Sequence, residues 1–103
     1  MLTTTDISPG QLVKSRAGRD KGRLFIVIGI ADDQYVTIAD GDLRRVEKPK
    51  RKKIRHLSKV NRVSEVLRQA LQEETLTNPL VRREIERLGA ENPTQLGGAS
   101  VNG

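Results

Sequence analysis

The chain has 103 residues, of which 19 are Lys or Arg and 13 are Asp or Glu, so its formal net charge is +6. It has no cysteine and one histidine, which excludes disulfide scaffolds, cysteine nucleophiles and His/Cys metal sites. A chain this short holds one small domain with appendages, and we do not expect a large catalytic cleft in it.

The first predicted elements are two strands joined by a polar loop. Pro9-Gly10 is a turn signal that leads into a strand over 11–15. A loop over 16–22 with two glycines follows. The strand over 23–30 contains the continuous apolar run from Leu24 to Ile28, which is typical of a central strand covered on both faces.

A third strand and a looser segment come next. After the turn signal Asp32-Asp33, residues 34–39 alternate in the manner of a half-buried strand. Pro49 cannot occupy a central strand, so 43–49 is predicted to be a loop or an edge segment, and a last strand is predicted over about 51–57. Strands without helices between them favour an antiparallel meander, and closure into a small barrel would remove its exposed edges.

From Asn61 the apolar period becomes helical, and Asn61 or Ser64 is the predicted cap. Asn78-Pro79 predicts the start of a second helix, which Gly89 ends. We therefore expect a mainly β fold with C-terminal helices: a barrel over residues 1–60 and a helical hairpin over 61–88 that packs on it. Residues 89–103 are too polar to bury and are predicted to be disordered.

The positive charge is concentrated in one segment. Residues 13–62 carry fifteen Lys or Arg against six Asp or Glu, whereas residues 63–103 carry four against six. From Arg44 to Arg62, ten of nineteen positions are Lys or Arg and Glu47 is the one carboxylate. Solubility does not require this density, so the segment is predicted to attract a polyanion.

The loop after the first predicted strand carries a recognisable pattern. Residues 13–27 alternate apolar and basic residues, place Gly22 after the basic Lys21, and continue into an apolar strand, and in this they resemble the KOW motif. A tight loop between antiparallel strands needs a residue that permits a positive φ, as glycine does. Cations around exposed loop amides would cradle phosphates.

A broader resemblance covers about half of the chain. Residues 10–57 resemble the archaeal and eukaryotic large-subunit ribosomal protein family called fourteen-e, in the Gly-Arg-Asp-Lys-Gly loop, the following apolar strand, the Asp-Asp turn and the basic run that ends in Ile54-Arg55-His56-Leu57. The resemblance implies a small SH3-like KOW barrel that binds RNA. It also implies that Gly22 is the motif glycine and that Arg19, Lys21 and Lys50-Arg51-Lys52-Lys53 contact the RNA.

These observations predict a cytoplasmic RNA-binding protein of the ribonucleoprotein or translation machinery that recognises structured RNA, with ribosomal RNA and the ribosome as candidate partners. Phe25 is predicted to be buried and Tyr35 is the only other aromatic, so base stacking cannot be the main source of affinity. Contacts to phosphates and to RNA shape remain. The predicted contact residues are Lys14, Arg16, Arg19, Lys21, Gly22, Arg23, Arg44, Arg45, Lys48, Lys50, Arg51, Lys52, Lys53 and Arg55.

Other classes of function have less support in the sequence. A KOW barrel can instead be a protein-interaction module in transcription or translation, and duplex DNA offers the same phosphate chemistry as RNA. An enzyme is not expected, because no nucleophile, metal cluster or pair of acids converges in the sequence. We also expect a monomer without a cofactor and, since no apolar run has the length of a membrane span, no membrane association.

Overall fold

Residues 4–91 are described in a computed structural model of the chain. They form five strands, two short 3-10 helices and two α-helices. The strands are β1 (Gln11–Ser15), β2 (Leu24–Ile30), β3 (Tyr35–Ala39), β4 (Lys50–Lys53) and β5 (Leu57–Val63). The 3-10 helices are Thr4–Asp6 and Ile54–His56, and the α-helices are α1 (Glu65–Glu73) and α2 (Asn78–Glu91).

The strands form one antiparallel sheet in the order β4-β3-β2-β1-β5. The predicted mainly β fold with C-terminal helices is therefore confirmed. The sheet does not close, because β4 and β5 are its two edges. Among the described residues, no helix has the length and apolar character needed to cross a membrane.

The sheet has a hydrophobic core on each face, and β2 contributes to both. Alternate side chains of a strand point to opposite faces, so Phe25 and Ile26 enter different cores. This confirms the prediction that β2 is the central strand. The first core contains Ile7, Val13, Phe25, Val27, Val36, Ile38, Ile54 and Leu57. The second core, where the helices pack, contains Leu12, Ile26, Val60, Leu67, Val81 and Leu88.

The strand predicted over about 51–57 is confirmed only in its first part: β4 ends at Lys53, and the 3-10 helix Ile54–His56 follows it. In a continuous strand, Ile54 and Leu57 would face opposite sides of the sheet. The 3-10 turn instead brings both side chains into the first core, where they are 5% and 1% exposed. Burial of these two residues accounts for the break.

The cap of α1 is one of the two predicted residues, and α2 begins at Asn78 as predicted. Strand β5 continues to Val63, and the cap of α1 is Ser64, whose Oγ accepts a hydrogen bond from the Leu67 amide at 3.0 Å. Asn61 therefore lies in a strand. The amide of Leu80 donates to Thr77 Oγ1 at 3.3 Å, so Thr77 rather than Asn78 provides the side-chain cap of α2.

Gly89 does not end α2, which continues to Glu91. A Cβ at Gly89 would lie 3.1 Å from Leu24 Cδ1, so glycine allows the helix to approach the sheet closely. The prediction of disorder is therefore wrong for residues 89–91. The remainder of the predicted tail, 92–103, lies outside the described residues.

Ser64 joins the two helices as well as capping the first, and replacing it tests this junction. Its Oγ donates to Glu84 Oε1 at 2.8 Å, and both residues are buried. Ser64→Ala removes the cap and leaves a buried carboxylate with one donor fewer, so we expect the free energy of unfolding to fall by about 2–3 kcal/mol. Urea unfolding measures this. The control is Ser58→Ala, at a half-buried position of β5, which should change the free energy of unfolding by less than about 0.5 kcal/mol. Equal effects of the two substitutions would contradict the role of Ser64.

Candidate nucleic-acid interface

Two loops of the basic segment, residues 13–62, lie at the same end of the sheet. The loop over 16–23 joins β1 to β2, and the loop over 40–49 joins β3 to β4. The antiparallel pairs Lys14 with Leu24, Ile26 with Ala39 and Ile38 with Lys50 place the ends of these strands side by side. We use the name basic end for these two loops together with strand β4 and the turn 54–56. Strand β4 leads away from the loops, and the hydrogen bond from the Arg16 amide to the His56 carbonyl at 2.8 Å joins the turn to the loop over 16–23.

The loop over 16–23 contacts the basic row of β4 directly. Lys50 Nζ lies 3.8 Å from Asp20 Oδ2, and Lys52 Nζ donates to the Ala17 carbonyl at 3.4 Å. Arg44 Nη2 reaches the same Asp20 oxygen at 3.3 Å. The loop that carries Arg19 and Lys21 is thus held against β4 by a buried carboxylate and a backbone carbonyl.

The four basic residues of β4 do not form one continuous patch. Lys50 and Lys52 pair with Ile38 and Val36, whose side chains belong to the first core, so the side chains of these two lysines leave the strand on the core face. The side chains of Arg51 and Lys53 leave it on the opposite face. The row that is contiguous in sequence is therefore divided by the alternation of the strand.

Lys52 is the most buried cation of the row, with only 9% of its surface exposed. Its aliphatic stem lies on the core face beside Val36, while its ammonium group reaches the carbonyl of Ala17. The structure therefore gives Lys52 a packing role that its charge in the sequence does not reveal.

On the other face, Arg51 and Lys53 surround Tyr35. The guanidinium of Arg51 lies 4.2 Å from the centre of the Tyr35 ring and donates to Asp32 Oδ2 at 2.9 Å. Lys53 Nζ lies 5.9 Å from the same ring. Tyr35 thus already has a cation over its ring, so it offers less surface for stacking with a base than an open aromatic side chain would.

Arg23 forms ion pairs with two carboxylates of the loop over 40–49. Its Nε donates to Asp40 Oδ2 at 2.6 Å and its Nη2 to Asp42 Oδ2 at 3.2 Å. The hydrogen bond to Asp40 raises the pKa of Arg23. Burial raises the pKa of Asp40, but hydrogen bonds from the Arg44 amide, the Arg23 guanidinium and the Asp42 amide outweigh it, so the pKa is lower than usual.

Gly22, the glycine of the KOW-like pattern, has a φ of +87°. A Cβ at this position would meet no atom within 4 Å, so the left-handed backbone alone favours glycine there. The Gly22 amide donates to the Ser15 carbonyl at 2.8 Å, which closes the loop between β1 and β2. The expected positive φ is confirmed.

Ten of the thirteen predicted contact cations fall into an ion-paired group and an unpaired group. Asp20, Asp32, Asp40, Asp42 and Glu47 form ion pairs within the basic segment. The paired cations are Arg23, Arg44, Arg45, Lys50 and Arg51. Within residues 4–91, Arg16, Arg19, Lys21, Lys48 and Arg55 are exposed and form neither an ion pair nor a side-chain hydrogen bond.

Lys14 lies on the other face of the sheet from Lys50 and Lys52. It lies in the middle of β1 beside Leu24 and Ser58, on the same face as Leu12, which packs into the second core. Lys50 and Lys52 lie on the opposite face. Lys14 is therefore not brought together with them.

Sequence analysis did not identify the carboxylates that organise the basic end. Asp20 is 7% exposed and Asp40 is 6% exposed, although both lie in loops. The only local signal was at the turns, where Asp40 Oδ1 accepts from the amides of Asp42 and Arg44 at 2.9 and 2.8 Å. The ion pairs themselves join loops distant in sequence.

Comparison of the chain with protein-family models and with curated proteins finds no match.

Because Asp40 accepts hydrogen bonds from Arg23 and from the Asp42 and Arg44 amides, we expect the stability of the fold to depend on pH. The pKa of Asp40 is lower in the folded protein than in the unfolded chain, so the ionised carboxylate stabilises the fold. This contribution to the free energy of unfolding is complete above the ordinary carboxyl pKa of about 3.9 and is lost as the pH falls through the lower pKa of the folded state. Asp40→Asn should reduce the free energy of unfolding by about 1–3 kcal/mol at neutral pH.

Urea unfolding at pH 7 and pH 3 measures this dependence, and the difference between the parent protein and Asp40→Asn should shrink at pH 3. The control Asp33→Asn changes an exposed carboxylate without an ion pair in the described part of the chain, and it should have little effect at either pH. A difference for Asp40→Asn that is the same at both pH values would contradict the assignment.

The packing role of Lys52 is tested by comparing two substitutions. Lys52→Met keeps most of the aliphatic stem and should lower the free energy of unfolding by less than about 1 kcal/mol, whereas Lys52→Ala should lower it by about 1–2 kcal/mol. Equal losses in urea unfolding would show that the ammonium group, not the stem, is what matters.

Proposed function

We propose that this protein binds structured RNA through the basic end. One observation carries the proposal: Asp20 and Ala17 hold the loop over 16–23 against β4, and exposed, unpaired cations lie around this junction. Arg19 and Lys21 lie in that loop, and Lys48 lies in the neighbouring loop. The amide of Arg16 donates to the His56 carbonyl at 2.8 Å, which places Arg16 beside the turn that carries Arg55.

The proposal includes an SH3-like barrel of the KOW type. The order of the strands, the short 3-10 helix between the two edge strands and the positive φ of Gly22 support it. A ribosomal RNA would be a suitable ligand for such a domain. Membership of the fourteen-e family rests on the resemblance of residues 10–57.

Binding would depend on phosphates and on the shape of the RNA. Lys and Arg neutralise phosphates, and the arginine forks can also grip a guanine edge. Of the two aromatic side chains, Phe25 is fully buried and Tyr35 lies against Arg51. Recognition of single-stranded bases by stacking is therefore not the proposed mode.

Substitution of the unpaired loop cations tests the proposal. Arg19→Gln/Lys21→Gln should weaken binding to a folded ribosomal RNA fragment by tenfold or more at about 0.1 M salt, since two phosphate contacts are removed. The parent protein should show a slope of log K against log salt of about −3 to −5, and the double variant should reduce that slope by about 1.4–1.8. Fluorescence anisotropy over a salt series measures both quantities.

The control is Arg68→Gln/Arg83→Gln, which removes the same charge from exposed positions of α1 and α2; of these, Arg68 forms an ion pair with Glu65. Its RNA affinity should stay within about twofold of the parent value. A flat salt response, or equal losses in the two double variants, would overturn the proposal. If Arg19→Gln/Lys21→Gln still sedimented with ribosomes, the alternative of a protein-interaction module would be favoured.

A further inference from the structure

The loop over 40–49 forms a recess, and no residue of the loop over 16–23 lines it. The recess has a volume of about 430 Å³ and is lined by Leu43, Arg44, Arg45, Lys48, Pro49 and Lys50. Four of these six residues are cations. The volume lies in the range of pockets that bind small organic ligands.

The cations of the recess are only partly neutralised. Asp20 Oδ2 is shared by Arg44 and Lys50, and Glu47 Oε2 lies 3.4 Å from Arg45 Nε. Lys48 has no ion pair among the described residues. Four positive charges thus face two carboxylates, and an anion would complete the balance.

Arg44 supplies a second indication of an anionic ligand. Its Nε is buried and has no hydrogen-bond partner, although its Nη2 is bound to Asp20. A buried donor without an acceptor is uncommon in folded proteins and has a cost in stability. A small rearrangement of this guanidinium toward a bound phosphate would provide an acceptor.

The recess is built into the fold. The Arg44 amide is bound by Asp40 Oδ1, and the Val46 amide donates to Asn78 Oδ1 at 2.8 Å. Because Asn78 belongs to α2, a helix holds the far side of this loop. Fixed backbone lowers the entropy that a ligand would have to offset on binding.

The walls indicate more than a phosphate. Leu43 is 63% exposed beside the cations, and Pro49 is a second apolar group of the lining. We infer that the recess binds a nucleoside phosphate, with its phosphate on Arg44, Lys48 and Lys50 and its sugar or base against Leu43 and Pro49. The inference rests on the proposed function for RNA as the source of this nucleotide; a free mononucleotide has the same chemistry.

The test uses the full chain labelled with ¹⁵N, titrated with adenosine 5′-monophosphate and separately with inorganic phosphate. We expect saturable shifts of the amides in residues 43–50 and of the Arg44 Nε–H, with the nucleotide binding at least tenfold more tightly than phosphate. Arg45→Gln/Lys48→Gln removes two exposed cations of the lining, of which Lys48 is a proposed phosphate contact, and should weaken nucleotide binding at least tenfold. Arg68→Gln/Arg83→Gln should leave it within twofold.

Absence of saturation, equal losses in the two double variants, or equal affinity for phosphate and nucleotide would overturn the inference. RNA binding without nucleotide binding would refute the recess alone, whereas nucleotide binding without RNA binding would refute the proposed function alone. Where both bind, saturating nucleotide should weaken RNA binding if the RNA supplies the ligand. Unchanged RNA affinity would identify a free nucleotide as the source.

Discussion

The basic end depends on the carboxylate of Asp20, which is 7% exposed and lies between Arg44 and Lys50. Without it, the Arg44 and Lys50 side chains, which are 35% and 34% exposed, would lie close together with no counter-charge. One acid therefore determines how three segments meet: the loop over 16–23, the loop over 40–49 and β4. It also brings the two cations to within 4 Å of the same carboxylate oxygen, Asp20 Oδ2.

The ion pairs change the meaning of the charge count. The segment 13–62 carries a large positive excess, but its carboxylates hold five of its cations in defined positions. The unpaired cations, such as Arg19, Lys21 and Lys48, are instead exposed to solvent. In the proposed function, the net excess would attract RNA over a distance, and these exposed residues would supply direct phosphate contacts.

Much of the sheet could be predicted, because the burial of β1, β2 and β3 is reflected in the order of apolar and polar residues along each strand. The run from Leu24 to Ile28 and the alternation around Val36 each reflect which faces are covered. The break at Ile54 was missed, since only the first core shows that Ile54 and Leu57 must enter the same side. The ion pair between Asp20 and Arg44 joins loops 24 positions apart, and no local pattern contains it.

The pairing of β4 with β3 has a consequence for specificity. As an edge strand, β4 has a hydrogen-bonded neighbour on one side only. A slip of one residue would turn Arg51 and Lys53 toward the core face and Lys50 and Lys52 toward Tyr35, with no change in composition or net charge. Ile54, anchored in the first core at the end of β4, opposes such a slip. A buried isoleucine thereby determines which two of the four cations lie on the core face and which two lie beside Tyr35.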